Sequence, residues 1–151
     1  MIAAQVEEKQ VNWRKVGDTG IIVVRPLGQG KAELVEAQFK APDRSAPEQI
    51  SWNKKEARWE LRGGPEERGT IQTREGDVVF VFSDGLFKGG EFSGKSKEEI
   101  VEILVTMIGR TAVMAKTRAT LPEVIVENVL DLGGAIGEPL GDDVVVGVAI
   151  V

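Results

Sequence analysis

The sequence contains no cysteine and no histidine, and the two absences exclude much of the common catalytic chemistry. Without cysteine there are no disulfides, no zinc thiolates and no thiol nucleophile. Without histidine there is no Ser-His catalysis, no imidazole metal ligand and none of the commonest general base. Any metal would have to be held by oxygen donors, which suits hard ions such as Mg²⁺ or Mn²⁺. A basic surplus is also missing: 19 Lys and Arg stand against 24 Asp and Glu, giving a net charge of -5. The basic residues are scattered, so neither nucleic acid nor an anionic membrane is an expected partner. No apolar run approaches the ~18 residues of a spanning helix, and residues 1–10 carry no signal-peptide core. The remainder reads as a soluble acidic domain, with an intracellular setting, cytoplasmic or organellar, left open. Its 151 residues suit one domain with a substantial core.

The chain is organised around Glu75–Phe87. Glu75-Gly76-Asp77 is a turn signal, because Gly reaches backbone angles other residues avoid and Asp can bond neighbouring backbone. Val78-Val79-Phe80-Val81-Phe82 is β-branched or aromatic throughout and predicts a short strand buried on both faces. Ser83-Asp84-Gly85 follows without a polar transition. A carboxylate at the end of a buried strand is costly to desolvate unless a cation or hydrogen bonds compensate. Asp84 is thus either a plain Asp-Gly turn residue or a metal ligand.

Elsewhere, Val11–Val16 and Ile21–Arg25 flank Gly17-Asp18-Thr19-Gly20, a pattern that predicts a hairpin over 11–25. Lys31–Phe39 predicts a further strand. Residues 40–70 read as a long irregular connection, with Trp52 and Trp59 as its anchors to the core. Ser96 and Glu99 form a capping-box start. Ile100, Ile103, Leu104, Met107 and Ile108 then fall at helical spacing, predicting a helix over 97–108 ended by Gly109. A second helical stretch is expected over 111–118. A third starts at Leu121-Pro122 and ends at Gly133-Gly134. Val144–Val151 predicts a fully buried terminal strand. Strands, then helices, then a last strand indicate an α+β sandwich.

Three acidic sites share one grammar, an Asp beside Gly at the edge of an apolar strand: Gly17-Asp18, Asp84-Gly85 and Gly141-Asp142-Asp143. Carboxylates that cluster cannot all stay ionised without cations. If the strand ends align, the cluster would hold hard metal ions, and two such ions could activate water and clamp a phosphoryl group.

Here the chain resembles a known family. Gly17-Asp18-Thr19-Gly20 with Val23-Val24-Arg25 is similar to the Gly-Asp-Ser-Gly turn and strand of metal-dependent (PPM, type 2C) protein serine/threonine phosphatases. Gln38-Phe39 and Pro42 resemble a region of that family's mitochondrial and chloroplast branch. Gly76-Asp77-Val78 through Ser83-Asp84-Gly85-Leu86-Phe87 and Asp142-Asp143-Val144-Val145-Val146 resemble its two C-terminal motifs. The motifs stand in the family's order and span residues 11–151, leaving 1–10 as an uninformative N-terminal segment.

The resemblance implies a partial β-sandwich flanked by helices, α+β, lacking the N-terminal strands. It implies Asp84 and Asp142 as ligands of a two-metal Mg²⁺ or Mn²⁺ centre and Asp18 as ligand to a third metal. It implies hydrolysis of a phosphoserine or phosphothreonine protein substrate. The family's bridging Asp, first acidic ligand and phosphate-binding Arg lie upstream of the turn and have no counterpart here. Lys88 also stands where the family usually has Asp. The expectation is therefore an incomplete or degenerate phosphatase; the alternative is a non-catalytic, phosphatase-like subunit whose open sheet a protein partner covers.

Overall fold

The run Val78–Phe82 is apolar on both sides because both sides are covered. The computed structural model describes residues 1–39, 49–53, 58–62, 66–115, 117, 119–134 and 144–151. Its strands are β1 (Ile2–Val6), β2 (Gln10–Lys15), β3 (Thr19–Gly28), β4 (Lys31–Gln38), β5 (Gln49–Asn53), β6 (Arg58–Arg62), β7 (Glu67–Gln72), β8 (Val78–Ser83) and β9 (Val146–Ile150). Its helices are α1 (Lys97–Met114) and α2 (Leu121–Leu132), and two short 3-10 turns, Asp84–Lys88 and Gly90–Phe92, follow β8. One antiparallel sheet has the order β1-β2-β7 and a second the order β4-β3-β8-β9, while β5 and β6 pair only with each other.

Successive residues of a strand point to opposite faces, and the two faces of the four-stranded sheet have different partners. Ile22, Val24, Phe80 and Phe82 pack with Ile100, Leu104 and Ile108 of α1 and with Ile125 and Val129 of α2. Ile21, Val23 and Val79 pack with Val11, Trp13 and Ile71 of the three-stranded sheet. Each such side chain, fully buried, contributes roughly 1.5–3 kcal/mol. The architecture is α+β, a sheet-on-sheet sandwich with helices over the outer face of the larger sheet. A second, aromatic knot lies under the turn after β8. Phe87 stands 4.7 Å from Phe82 and 5.2 Å from Phe92 between ring centroids, both edge-on, a geometry that complements the ring quadrupoles.

The start of α1 is as predicted: Glu99 N–H donates to Ser96 Oγ at 3.2 Å, and Ser96 N–H donates to Glu99 Oε2 at 2.8 Å. The Ser96 N–H, followed by Lys95, holds the Glu99 carboxyl below its ordinary value. A depressed carboxyl stabilises the fold above its unfolded pKa, and that contribution is lost as pH falls through the folded value.

Several expectations are corrected. Residues 11–25 do not form a hairpin: β2 pairs with β1 and β7, and β3 pairs with β4 and β8. The Gly17–Gly20 turn instead carries the chain from one sheet to the other. Ile2–Val6, which has no periodic signal, forms the outer strand β1. Within 40–70, the described segments are not irregular, for Trp52 and Trp59 are register partners across β5 and β6 and β7 joins the first sheet. The terminal strand is half-buried along its length, not fully buried.

Gly109 does not end α1, which continues to Met114 and absorbs the start of the separate stretch expected over 111–118. It is a close-approach residue: a Cβ there would lie 2.8 Å from the carbonyl oxygen of Gly30 and 3.1 Å from the Ala32 side chain. In an open helix Gly→Ala stabilises by up to about 1 kcal/mol. Here the backbone of the β3–β4 turn blocks the methyl, and overpacking costs about 1–3 kcal/mol. Gly109→Ala should therefore lower the urea midpoint. A rise in midpoint would show that α1 can move off the turn.

Candidate functional site

Three segments meet at one end of the four-stranded sheet. Gly17 has a φ of 74°, a left-handed conformation that Gly reaches without strain, and it turns the chain so that Asp18 precedes β3. Thr19 is the register partner of Ser83, and Asp84 N–H donates to the Asp18 carbonyl at 2.8 Å. On the other side of β8, Ser83 N–H donates to the Val145 carbonyl at 2.9 Å, and Val145 N–H donates to Ser83 Oγ at 2.9 Å. The turn before β3, the turn after β8 and the entry to β9 are thus bonded side by side. The backbones of Asp18 and Asp84 are thereby adjacent; that their carboxylates share an ion is a matter for proposal. Asp142 and Asp143 lie outside the described residues, so the expected approach of Asp84 and Asp142 to one ion is a matter for proposal.

Asp84 opens the 3-10 turn that ends at Lys88. Gly85, Leu86 and Phe87 of that turn are buried, which fixes its backbone against the core. Lys88 Nζ lies 3.0 Å from Asp84 Oδ2, with the Asp84 side chain 23% and the Lys88 side chain 46% exposed. A hard oxygen donor at a strand end suits a divalent ion, but this carboxylate already carries an ammonium. Among the described residues no group of three or more acidic side chains is placed to hold a metal. As they stand, the described residues do not fit a two-metal centre.

The sequence reading missed a second polar centre, at the opposite end of β8. Asp77 was legible as a turn residue, and its Oδ2 does accept from Arg74 N–H at 2.9 Å. Its side chain is also fully buried, and Arg25 donates to it twice, Nε to Oδ1 and Nη2 to Oδ2, both at 2.8 Å. Arg25 is held further by Glu33 at 3.2 Å. The bonds from Asp77 raise the Arg25 pKa above its ordinary value. The available signal was an Asp just before one buried strand and an Arg closing the apolar run of another. This centre is structural, since it ties β3 to the turn before β8.

No model of a known family matches the chain, and no curated protein matches it in sequence. Solved structures do match in fold, among them phosphatases. The phosphatase domain of the cell fate determinant SpoIIE from Bacillus subtilis, presoaked with Mn, is similar over 100% of this chain and 56% of its own, with TM-score 0.56 and 14% identity. A second SpoIIE phosphatase-domain structure has TM-score 0.51 and 16% identity over 99% of this chain. The photosystem II phosphatase PBCP is similar over 86% of this chain and 44% of its own, with TM-score 0.53 and 19% identity. The chain spans about half the length of these structures.

Proposed function

We propose that the chain is part of a metal-dependent protein serine/threonine phosphatase of the PPM type, acting on phosphoserine or phosphothreonine in a protein substrate. The observation that carries this reading is the backbone bond from Asp84 N–H to the Asp18 carbonyl, which sets the two turns side by side at one sheet end, in a fold shared with phosphatase domains. On this reading Asp84 and Asp142 face a Mg²⁺ or Mn²⁺ site and Asp18 a neighbouring one. A further segment carrying a bridging Asp and a phosphate-binding Arg supplies what these residues do not. The likeness to PBCP agrees with an organellar relative. The transcript tests the reading: an in-frame Asp-Gly-Gly segment upstream of Met1 supports it. A stop codon directly upstream favours a second reading, that of a non-catalytic, phosphatase-like subunit with a protein partner on its open sheet. The ion pair of Lys88 on Asp84 is the observation that speaks for this second reading.

Under either reading the 151-residue chain by itself should not turn over p-nitrophenyl phosphate with Mn²⁺ or Mg²⁺. Electrostatic stabilisation of the transferring phosphoryl group is the main service such sites supply, and the ion-paired Asp84 carboxylate, the one the described residues place there, cannot supply it alone. Turnover that disappears in Asp84→Asn would overturn this expectation.

A further inference from the structure

We propose that the groove between α1 and α2 docks an amphipathic helix of a partner protein, one with basic residues beside its apolar stripe. The proposal does not depend on the phosphatase reading. Its first support is where the charge lies. α1 and α2 hold six acidic and two basic residues, a surplus of four acids against five for the whole chain. They do so on only 18 and 12 residues. Of the two cations, Lys97 turns to the sheet, its Nζ 5.0 Å from the centre of the Phe39 ring and 3.5 Å from the Ala37 carbonyl oxygen. On the groove itself Arg110 stands against Glu102 and Asp131, and both acids are exposed. The last turn of α2, which holds Asp131, has no basic residue to offset the negative end of the helix dipole.

The second support is the shape and chemistry of the floor. A short link sets the start of α2 beside the end of α1, so α2 runs back along its neighbour. Asn128 Nδ2 donates to Thr111 Oγ1 at 3.0 Å, and Thr111 Oγ1 donates to Met107 Sδ at 3.5 Å. These polar groups satisfy one another and ask nothing of an occupant. Ile103, Met107, Met114 and Leu132 supply the apolar surface. Met114 is 78% exposed, and no large apolar side chain among the described residues is more so. Methionine adapts its shape to what packs on it. From Ile103 to Met114 α1 rises about 16 Å, or about three turns, the length of an i, i+4, i+7 stripe on a docked helix. Such a helix covers Met107 and Met114 and sets Lys or Arg beside Glu102 and Asp131. An acidic helix would meet like charges at the same place.

The test is biolayer interferometry with the full chain immobilised at low density and two synthetic amphipathic helices in solution. Both carry one leucine stripe, the first on a lysine background and the second on a glutamate background. The leucine–lysine helix should bind and the leucine–glutamate helix should not. Glu102→Gln/Asp131→Asn should raise the Kd of the first at least tenfold, and Met107→Ser/Met114→Ser should do the same. Glu123→Gln/Glu127→Gln, which removes equal charge from α2 outside the groove lining, should raise it less than threefold. Circular dichroism establishes that each variant is folded. Glu102 and Asp131 are exposed, so their variant decides the matter even where Met107→Ser unfolds the chain. Equal weakening by the two charge variants would mean that the peptide reads net charge and not the groove. That result, binding of the leucine–glutamate helix as tight as the other, or binding of neither, would overturn the proposal. Sedimentation supplies the last arm: if Met107→Ser/Met114→Ser turns a self-associating chain into a monomer, the groove belongs to a second copy and the proposal falls. Each of these outcomes leaves the phosphatase reading untouched.

Discussion

Replacing Arg25 by Met should destabilise the chain markedly, because it leaves the fully buried Asp77 carboxylate without its cation. The reason lies in Asp77, whose side chain has no exposed surface. With Arg25 present it accepts three hydrogen bonds, two from the guanidinium and one from Arg74 N–H. Without Arg25 a buried carboxylate keeps one backbone donor and no cation. Asp77→Ala should cost less, because Arg25 is 20% exposed and keeps Glu33 at 3.2 Å. A domain of this size is stable by only about 5–15 kcal/mol, so Arg25→Met should remove a large share of the total. Replacing both residues by apolar ones should cost less than the sum of the single changes, since no lone buried charge remains. Urea unfolding of the four proteins checks this. An Arg25→Met loss under 1 kcal/mol, or an Asp77→Ala loss exceeding it, would show that water reaches the pair.

The parts of the fold that were legible in the sequence were the locally determined ones. The Ser96–Glu99 box marks the start of α1, Pro122 the start of α2, and five apolar residues mark β8. Strand partnership was not legible, because it is fixed by contacts far apart in sequence. The turn Gly17–Gly20 has the chemistry of a hairpin, yet β2 is paired with β7, as the bond from Thr70 to Asn12 shows. Nothing local distinguishes a turn within one sheet from a turn between two. Gly109 was misread for a related reason: a glycine late in a helical pattern can cap it or admit a neighbour, and the neighbour, Gly30, is 79 positions earlier. At the candidate site, the backbone adjacency of the Asp18 and Asp84 turns was legible, because both turns bound strands that pair. The cation beside Asp84 followed from Lys88 being four residues on. The depth of Asp77 was hidden, since a turn Asp is ordinarily solvated.

The purified chain should self-associate at tens of micromolar, through one side of its sandwich. The two lateral sides differ in a way that sheet edges rarely tolerate in a monomer. On one side, β4 carries Lys31, Glu33 and Glu36, and β7 carries Glu67 and Arg68. Glu36, Gln38, Glu66, Glu67 and Arg68 gather there around a shallow depression, and charges of this kind discourage a second chain from pairing. On the other side, β1 packs over β8, beside the edge strand β9. Neither Ile2–Val6 nor Val146–Ile150 contains a charged residue or a proline. Val6 is 37% exposed and Val145, at the entry to β9, is 60% exposed. Among the described residues β1 pairs only with β2, and β9 only with β8, so each strand presents a row of backbone donors and acceptors without a strand partner there. Ala4 and Val6 are register partners of Trp13 and Val11, which places them on the inner face. A strand added to β1 would gain hydrogen bonds and cover the exposed Val6 together. In the isolated chain the available strand is β1 or β9 of a second copy, and pairing them brings no like charges opposite one another. Ala4→Lys, which sets a charge on the inner face at this edge, should restore a monomer while leaving the unfolding free energy within about 0.5 kcal/mol, since the residue is exposed. Sedimentation of the two proteins decides the matter. A wild-type chain that stays monomeric and unfolds cooperatively at these concentrations would mean that the β1 and β9 edges are already covered, and that the sandwich is closed as it stands.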